Sequence, residues 1–119
     1  MGSRPEELRD RTKAFALRII RLFRSLPYKT DTQVLGKQLL RCGTSVAANY
    51  RAVCRARSKA EFVARIGIVA EEADEAVLWL ELLTESGMIK PELTTELLKE
   101  AKELAAILTA SQQTARRSA

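Results

Sequence analysis

Residues 58–83 read SKAEFVARIGIVAEEADEAVLWLELL, and within them Phe62, Ile66, Val69, Ala73, Ala76, Leu80 and Leu83 recur at alternating steps of four and three. An α-helix turns once in about 3.6 residues, so these seven side chains fall on one stripe, whereas a strand would need alternation at every second residue. The spacing predicts a helix over about 59–86. Ser58-Lys59-Ala60-Glu61 opens it as a capping box, in which Ser58 and Glu61 satisfy backbone donors that the first turn leaves free. Gly87 followed by Met88 has the form of its C-terminal cap.

The same rhythm extends outward in both directions. Leu8, Thr12, Phe15, Ile19, Leu22 and Leu26 predict a first helix over about 5–26. Ser3 is its expected N-cap, Pro5 suits its first turn, and Leu26-Pro27 ends it, because proline disfavours a helical predecessor. Leu35, Leu39, Cys42, Val46, Tyr50 and Val53 predict a second helix over about 32–56, capped by Thr30 or Asp31. Gly36 and Gly43 interrupt that helix, and each costs about 1 kcal/mol relative to alanine. Their presence implies close approach of a neighbouring backbone, or else a kink. Leu97, Ala101, Leu104 and Leu108, widened by Leu98 and Ala105, predict a fourth helix over about 91–112 that opens at Pro91. Residues 113–119 are expected to be a frayed tail.

These segments make the fold class all-α. Four amphipathic helices joined by short loops most simply form an up-down-up-down four-helix bundle, here a single domain over 1–119. The 119 residues include only five glycines and three prolines, which suits long helices better than turn-rich sheets. No apolar run reaches the roughly 18 residues of a membrane span, and MGSRPEELRDR is too charged for a signal peptide, so no membrane partner is expected and the location is expected to be cytoplasmic. Cys42 and Cys54 would lie about 18 Å apart along one helix, beyond disulfide reach, and are expected to be reduced and buried.

Charge divides the chain. Residues 1–60 carry 14 Lys and Arg against 4 Asp and Glu, while residues 61–119 carry 6 against 11; the balances of +10 and −5 make up the net +5. Such asymmetry serves pairing within the chain, head-to-tail association of subunits, or attraction of a polyanion.

Catalytic chemistry finds little purchase here. The chain has no histidine, hence no imidazole base for a serine or cysteine, and no glycine-rich turn to present a nucleophile or cradle a phosphate. Glu71, Glu72, Asp74 and Glu75 resemble the carboxylates of di-iron bundles, but such sites also take histidines from Glu-x-x-His motifs. Neither a metal nor another cofactor is expected, nor a catalytic residue. Asn49 lies beside the apolar stripe and is expected to be structural, fixing register by an interhelical hydrogen bond. Tyr50 and Trp79 read as core or interface aromatics. Arg51, Arg55 and Arg57, with Lys59, place four cations within nine residues. Guanidinium groups bind phosphates bidentately, and they equally stabilise a helix C-terminus or pair with carboxylates. Arg18, Arg21 and Arg24 add cations on the first helix.

Ser45-Val46-Ala47-Ala48-Asn49, Arg57-Ser58-x-x-Glu61-Phe62, and the segments Ile68-Val69-Ala70-Glu71-Glu72-Ala73-Asp74-Glu75 and Leu78-Trp79-Leu80-Glu81 resemble the four helix bundle protein family. It is also called the bacterial large-subunit ribosomal RNA intervening-sequence protein family, and it is similar in fold to the accessory protein of diversity-generating retroelements. The resemblance covers roughly residues 10–110. It implies a homopentameric ring of bundles and, in the retroelement branch, a basic surface that binds nucleic acid and a nucleic-acid-processing protein.

Two expectations follow. In the first, a non-enzymatic oligomer binds RNA or DNA, structured RNA foremost, through Arg51, Arg55, Arg57 and Lys59, assisted by Arg18, Arg21 and Arg24. In the second, the basic half of one subunit packs on the acidic half of the next in a structural or protein-interaction scaffold without nucleic acid. They differ in whether the arginines face solvent or a neighbour.

Overall fold

A computed structural model describes residues 4–118. Four helices follow one another: α1 (Pro5–Ser25), α2 (Thr30–Cys54), α3 (Lys59–Glu85) and α4 (Thr95–Arg117), with a single 3₁₀ turn at Pro91–Leu93 before the last. Among the described residues there is no strand. Specific contacts establish the order of directions. Gly43 lies against Ile19 and Gly36 against Leu26, so α1 and α2 are antiparallel. Gln112 reaches Val63 while Thr94 meets Thr84, which makes α3 and α4 antiparallel as well. The result is an up-down-up-down rod of 50 × 21 × 20 Å.

Each stripe read from the sequence becomes a core face. Leu8, Thr12, Phe15, Ile19, Leu22 and Leu26 are buried, as are Ile66, Val69, Ala73, Ala76, Leu80 and Leu83. From the other two helices, Leu39, Cys42, Val46, Tyr50 and Val53 and then Leu97, Ala101, Leu104 and Leu108 complete the interior. Burying each large aliphatic side chain contributes about 1.5–3 kcal/mol. The glycines of α2 are explained by close approach: a Cβ at Gly43 would stand 2.8 Å from Ile19 Cγ1, and one at Gly36 would stand 2.5 Å from Leu26 Cδ1.

The ends of the helices refine the expected boundaries. Arg4 occupies the N-cap of α1, its backbone N–H donating to Glu7 Oε1 at 3.3 Å; Ser3 lies outside the described residues. Leu26 is extended ahead of Pro27, as the proline requires. α2 begins and ends two residues earlier than expected. Lys29, not Thr30 or Asp31, is its cap, and Asp31 instead accepts from the backbone N–H of Thr32 at 2.8 Å. At the α2–α3 corner Ser58 Oγ accepts from the N–H of Glu61 at 3.0 Å, but the Glu61 carboxylate reaches back one residue further than a capping box does, to the N–H of Arg57 at 2.8 Å. Gly87 closes α3 with φ +81°, a conformation for which glycine alone carries no steric penalty.

α4 differs most. Pro91–Leu93 form a 3₁₀ turn because Thr94, buried, turns its hydroxyl to Thr84 Oγ1 at 2.8 Å and toward the Pro91 carbonyl at 3.2 Å. The α-helix proper starts at Thr95 and runs to Arg117, so residues 113–117 are helical and not a frayed tail. Gln112 Nε2 donates to the Val63 carbonyl at 3.0 Å, tying this last stretch to the start of α3.

Candidate nucleic-acid interface

The antiparallel order sorts the cations into two groups. Arg51, Arg55, Arg57 and Lys59 stand at the foot of the rod, where α2 turns into α3, and all four are exposed. Pro5, the first residue of α1, borders a cleft there together with Arg57. Arg18, Arg21 and Arg24 are 13 to 19 residues further along α1, about 20–28 Å up the axis at 1.5 Å per residue. The structure therefore separates them from the corner. Arg18 and Arg21 line a different groove, shared with Glu92 and Glu96 at the other end of the bundle, where their charge faces carboxylates.

Two other cations take their place. The C-terminus of α4 descends to the foot of the rod, where Lys59 donates to the backbone carbonyl of Ser118. This brings exposed Arg116 and Arg117 to the same end as the corner. Sequence reading missed them because they lay in a segment without a stripe; the continued helical spacing of Gln112 and Ala115, both half-buried, is the faint signal that α4 goes on. Among the described residues Arg51, Arg55, Arg116 and Arg117 form no ion pair, and Arg57 makes one loose contact, Nε to Glu61 Oε1 at 3.9 Å. Glu61 is held more firmly by Arg65, at 3.1 Å. Its carboxyl is pushed below the usual range first by the Arg57 backbone N–H and then by Arg65.

Part of the acidic half of the chain is answered elsewhere. Arg41 of α2 pairs with Glu72 at 3.3 Å and Glu75 at 2.8 Å on α3, and Arg11 of α1 pairs with Glu100 at 2.7 Å and with Glu103 on α4. Two arginines from the basic half thus draw in four carboxylates of the acidic half within one chain.

Asn49 is half-buried, and its amide donates to the Ser45 carbonyl at 3.0 Å and to Ser45 Oγ at 2.7 Å. Both partners belong to its own helix, so among the described residues the expected interhelical bond is not formed: the side chain folds back one turn. The cysteines also part company. Cys42 is buried in the core, but Cys54 is exposed on the last turn of α2, where the stripe has run out. Cys42 Sγ donates to Glu75 Oε1 at 3.0 Å, and with Glu72 and Glu75 it forms a trio of potential ligand atoms within 4.8 Å. Arg41 already lies against all three residues. Burial, followed by the Glu75 hydrogen bond, pushes the Cys42 thiol up to about 12, so its sulfur keeps its proton and donates it to Glu75.

A concavity opens at the corner. A cleft of about 480 Å³ opens between α1, α2 and α3, walled by Pro5, Tyr50, Val53, Cys54, Arg57 and Phe62. Burial, then the Cys54 thiol, pushes the Tyr50 phenol up to about 12, so it keeps its proton. Elsewhere, Ile68, Leu78 and Leu82 are exposed by 46%, 46% and 39% on the outer side of α3, within one arc of the helix by their spacing. The indole Nε1 of Trp79 is covered and has no hydrogen-bond partner among the described residues. No described helix is long and apolar enough to cross a membrane.

An antiparallel four-helix bundle with a cationic foot is the class these observations define. Residues 6–110 match the family described as 23S rRNA-intervening sequence protein, and the chain belongs to that family. It is similar in structure to a protein of unknown function from the S23 ribosomal protein family of Bacteroides thetaiotaomicron VPI-5482. The two share 32% identity and a TM-score of 0.83, over 92% of this chain and 97% of the other. No curated protein matches the chain.

Proposed function

We propose that this protein is a non-enzymatic, self-associating bundle that holds nucleic acid, structured RNA foremost, by phosphate contacts at the foot of the rod. The observation that carries the reading is the convergence there of Arg51, Arg55, Arg57, Lys59, Arg116 and Arg117, exposed and, among the described residues, nearly free of carboxylate partners. Cations so placed displace counterions from a polyanion. The family description, which names 23S rRNA intervening sequences, supports an RNA setting. Copies of the chain, five in the ring that the resemblance implies, repeat a moderate patch and so raise its avidity. A nucleic-acid-processing protein is the further partner that the resemblance implies.

A second reading, a scaffold without nucleic acid, is favoured by the exposed Ile68, Leu78 and Leu82, which suit contact between copies. The internal pairs of Arg11 and Arg41 with the acidic helices leave that reading less charge to assemble subunits, and for this reason the first is preferred.

The test is a titration against structured RNA and duplex DNA over a salt series, with the oligomer's mass measured alongside. Replacing Arg51, Arg55 and Arg57 by alanine should weaken binding on both and flatten the slope of log affinity against log salt by about one for each phosphate no longer neutralised. Arg116→Ala with Arg117→Ala should act likewise, and Arg21→Ala with Arg24→Ala much less. Unchanged affinity and slope in the corner variant, with the oligomer intact, would refute the reading; dissociation into monomers would favour the scaffold.

A further inference from the structure

Arg57, one of the cations at the foot of the rod, borders a largely apolar opening, and phosphate contact alone gives that opening no role. Tyr50 and Val53 are buried and form its floor, Phe62 is half-buried on the α3 side, and Arg57 and Cys54 lie at its mouth. Its volume of about 480 Å³ falls within the range of about 300–1,000 Å³ typical of small-ligand sites. The chain has six aromatic residues, and two of them, Tyr50 and Phe62, meet in this one cleft from opposite sides of the α2–α3 turn. A ligand that satisfies both parts of the site needs a flat apolar body tethered to an anion. The polar residues among its lining, Tyr50, Cys54 and Ser58, suit the edge of such a body.

We infer that the cleft takes one unpaired nucleobase of the strand whose phosphates the corner cations hold. A base within a duplex is stacked and paired and cannot enter, so the site distinguishes loops, bulges and single strands from continuous helix. Stacking on an aromatic wall tolerates any base, which keeps sequence selectivity weak while adding affinity that salt does not screen. RNA and DNA offer the same base and phosphate, and the cleft by itself makes no demand on the sugar. The inference rests on the phosphate reading of the corner and extends it from charge to shape.

The experiment compares, by fluorescence anisotropy at fixed salt, a short labelled oligoadenylate, its deoxy counterpart and an abasic strand of equal length. The parent protein should bind both base-bearing strands about tenfold more tightly than the abasic one. Cys54→Leu, which narrows the mouth from an exposed position without adding a ring, should reduce that difference and leave the salt slope as it was. Phe62→Leu keeps the apolar volume without the ring and should shrink the difference independently. Circular dichroism and native mass confirm that each variant keeps its helices and assembly. Failure to bind any strand would overturn the phosphate reading and this inference together. Equal binding of adenylate and abasic strands overturns the inference alone, as does a difference that survives in both folded variants.

Discussion

Arg11 on α1 grips Glu100 on α4 with two prongs, Nε to Oε2 at 2.7 Å and Nη2 to Oε1 at 2.8 Å, and the same guanidinium also contacts Glu103. The pair spans the seam between the first and last helices, which is slighter than the seams between helices consecutive in the chain. Both side chains are mostly covered, at 30% and 18% exposure, so solvent screens the pair less than it would a surface contact. The carboxylates hold Arg11 firmly in its charged form.

Replacing Arg11 by alanine should therefore lower stability by about 1–3 kcal/mol, and Glu100→Gln should cost less because the amide still accepts one bond. Urea unfolding measures both. Stability equal to the parent in the alanine variant would mean that apolar contacts alone close the seam.

Gly43 and Gly36 look alike in the sequence, yet they should respond differently to alanine. At Gly43 the added methyl would meet the Cβ, Cγ1 and Cγ2 of fully buried Ile19, the first two at 3.0 and 2.8 Å. A branched residue fixed in a core has little room to yield, so Gly43→Ala should destabilise by about 1–3 kcal/mol despite its better helix propensity. At Gly36 the nearest atom is the far methyl of Leu26, which rotates, and the loss should be clearly smaller. Thermal melts of the two variants test the order.

Asn49→Ala should shift stability by less than about 1 kcal/mol, the usual range for a site with no core partner to abandon. Among the described residues its amide bonds only to Ser45 in the preceding turn, and the Ser45 carbonyl also lies in the helical ladder. A loss several times larger in a melt would point to a partner beyond this chain.

The two cysteines should report their surroundings chemically. At mildly alkaline pH a thiol reagent should modify Cys54 quickly and leave Cys42 protected until the chain unfolds, because Cys42 is buried and its thiol is held up to about 12. The folded thiol ionises above its ordinary value of 9.0, so the unfolded chain releases that proton first as pH rises. The stability contributed by the neutral site is whole below about pH 9 and is lost progressively toward 12. Cys42→Ala should flatten this part of the profile. Tyr50, raised from 10.0 to about 12, slopes the same way and will remain. Equal reactivity of both thiols in the native protein would contradict the buried placement.

The four helices were legible in the chain itself. Every four-three stripe, from Leu8 to Leu108, becomes a buried face, with only Leu35 and Phe62 left half-buried, and Pro27, Ser58 and Gly87 end or open helices where their backbone chemistry requires it. These are local matters: a stripe depends on the helical repeat, and a cap on residues within one turn of it. The ends were less legible where tertiary contact intervened, as when Thr84 draws Thr94 into the core and delays α4 to Thr95. The site was legible only as a run of cations. That Arg116 and Arg117 join Arg51, Arg55 and Arg57, that Arg18, Arg21 and Arg24 stand apart, and that Tyr50 and Phe62 wall one cleft depended on which helix end meets which. So did the four carboxylates that Arg11 and Arg41 gather from α3 and α4. Spacing along the chain sets the face on which a side chain stands, but charges and cavities arise between faces far apart in sequence, and only the packing of the four helices brings those together.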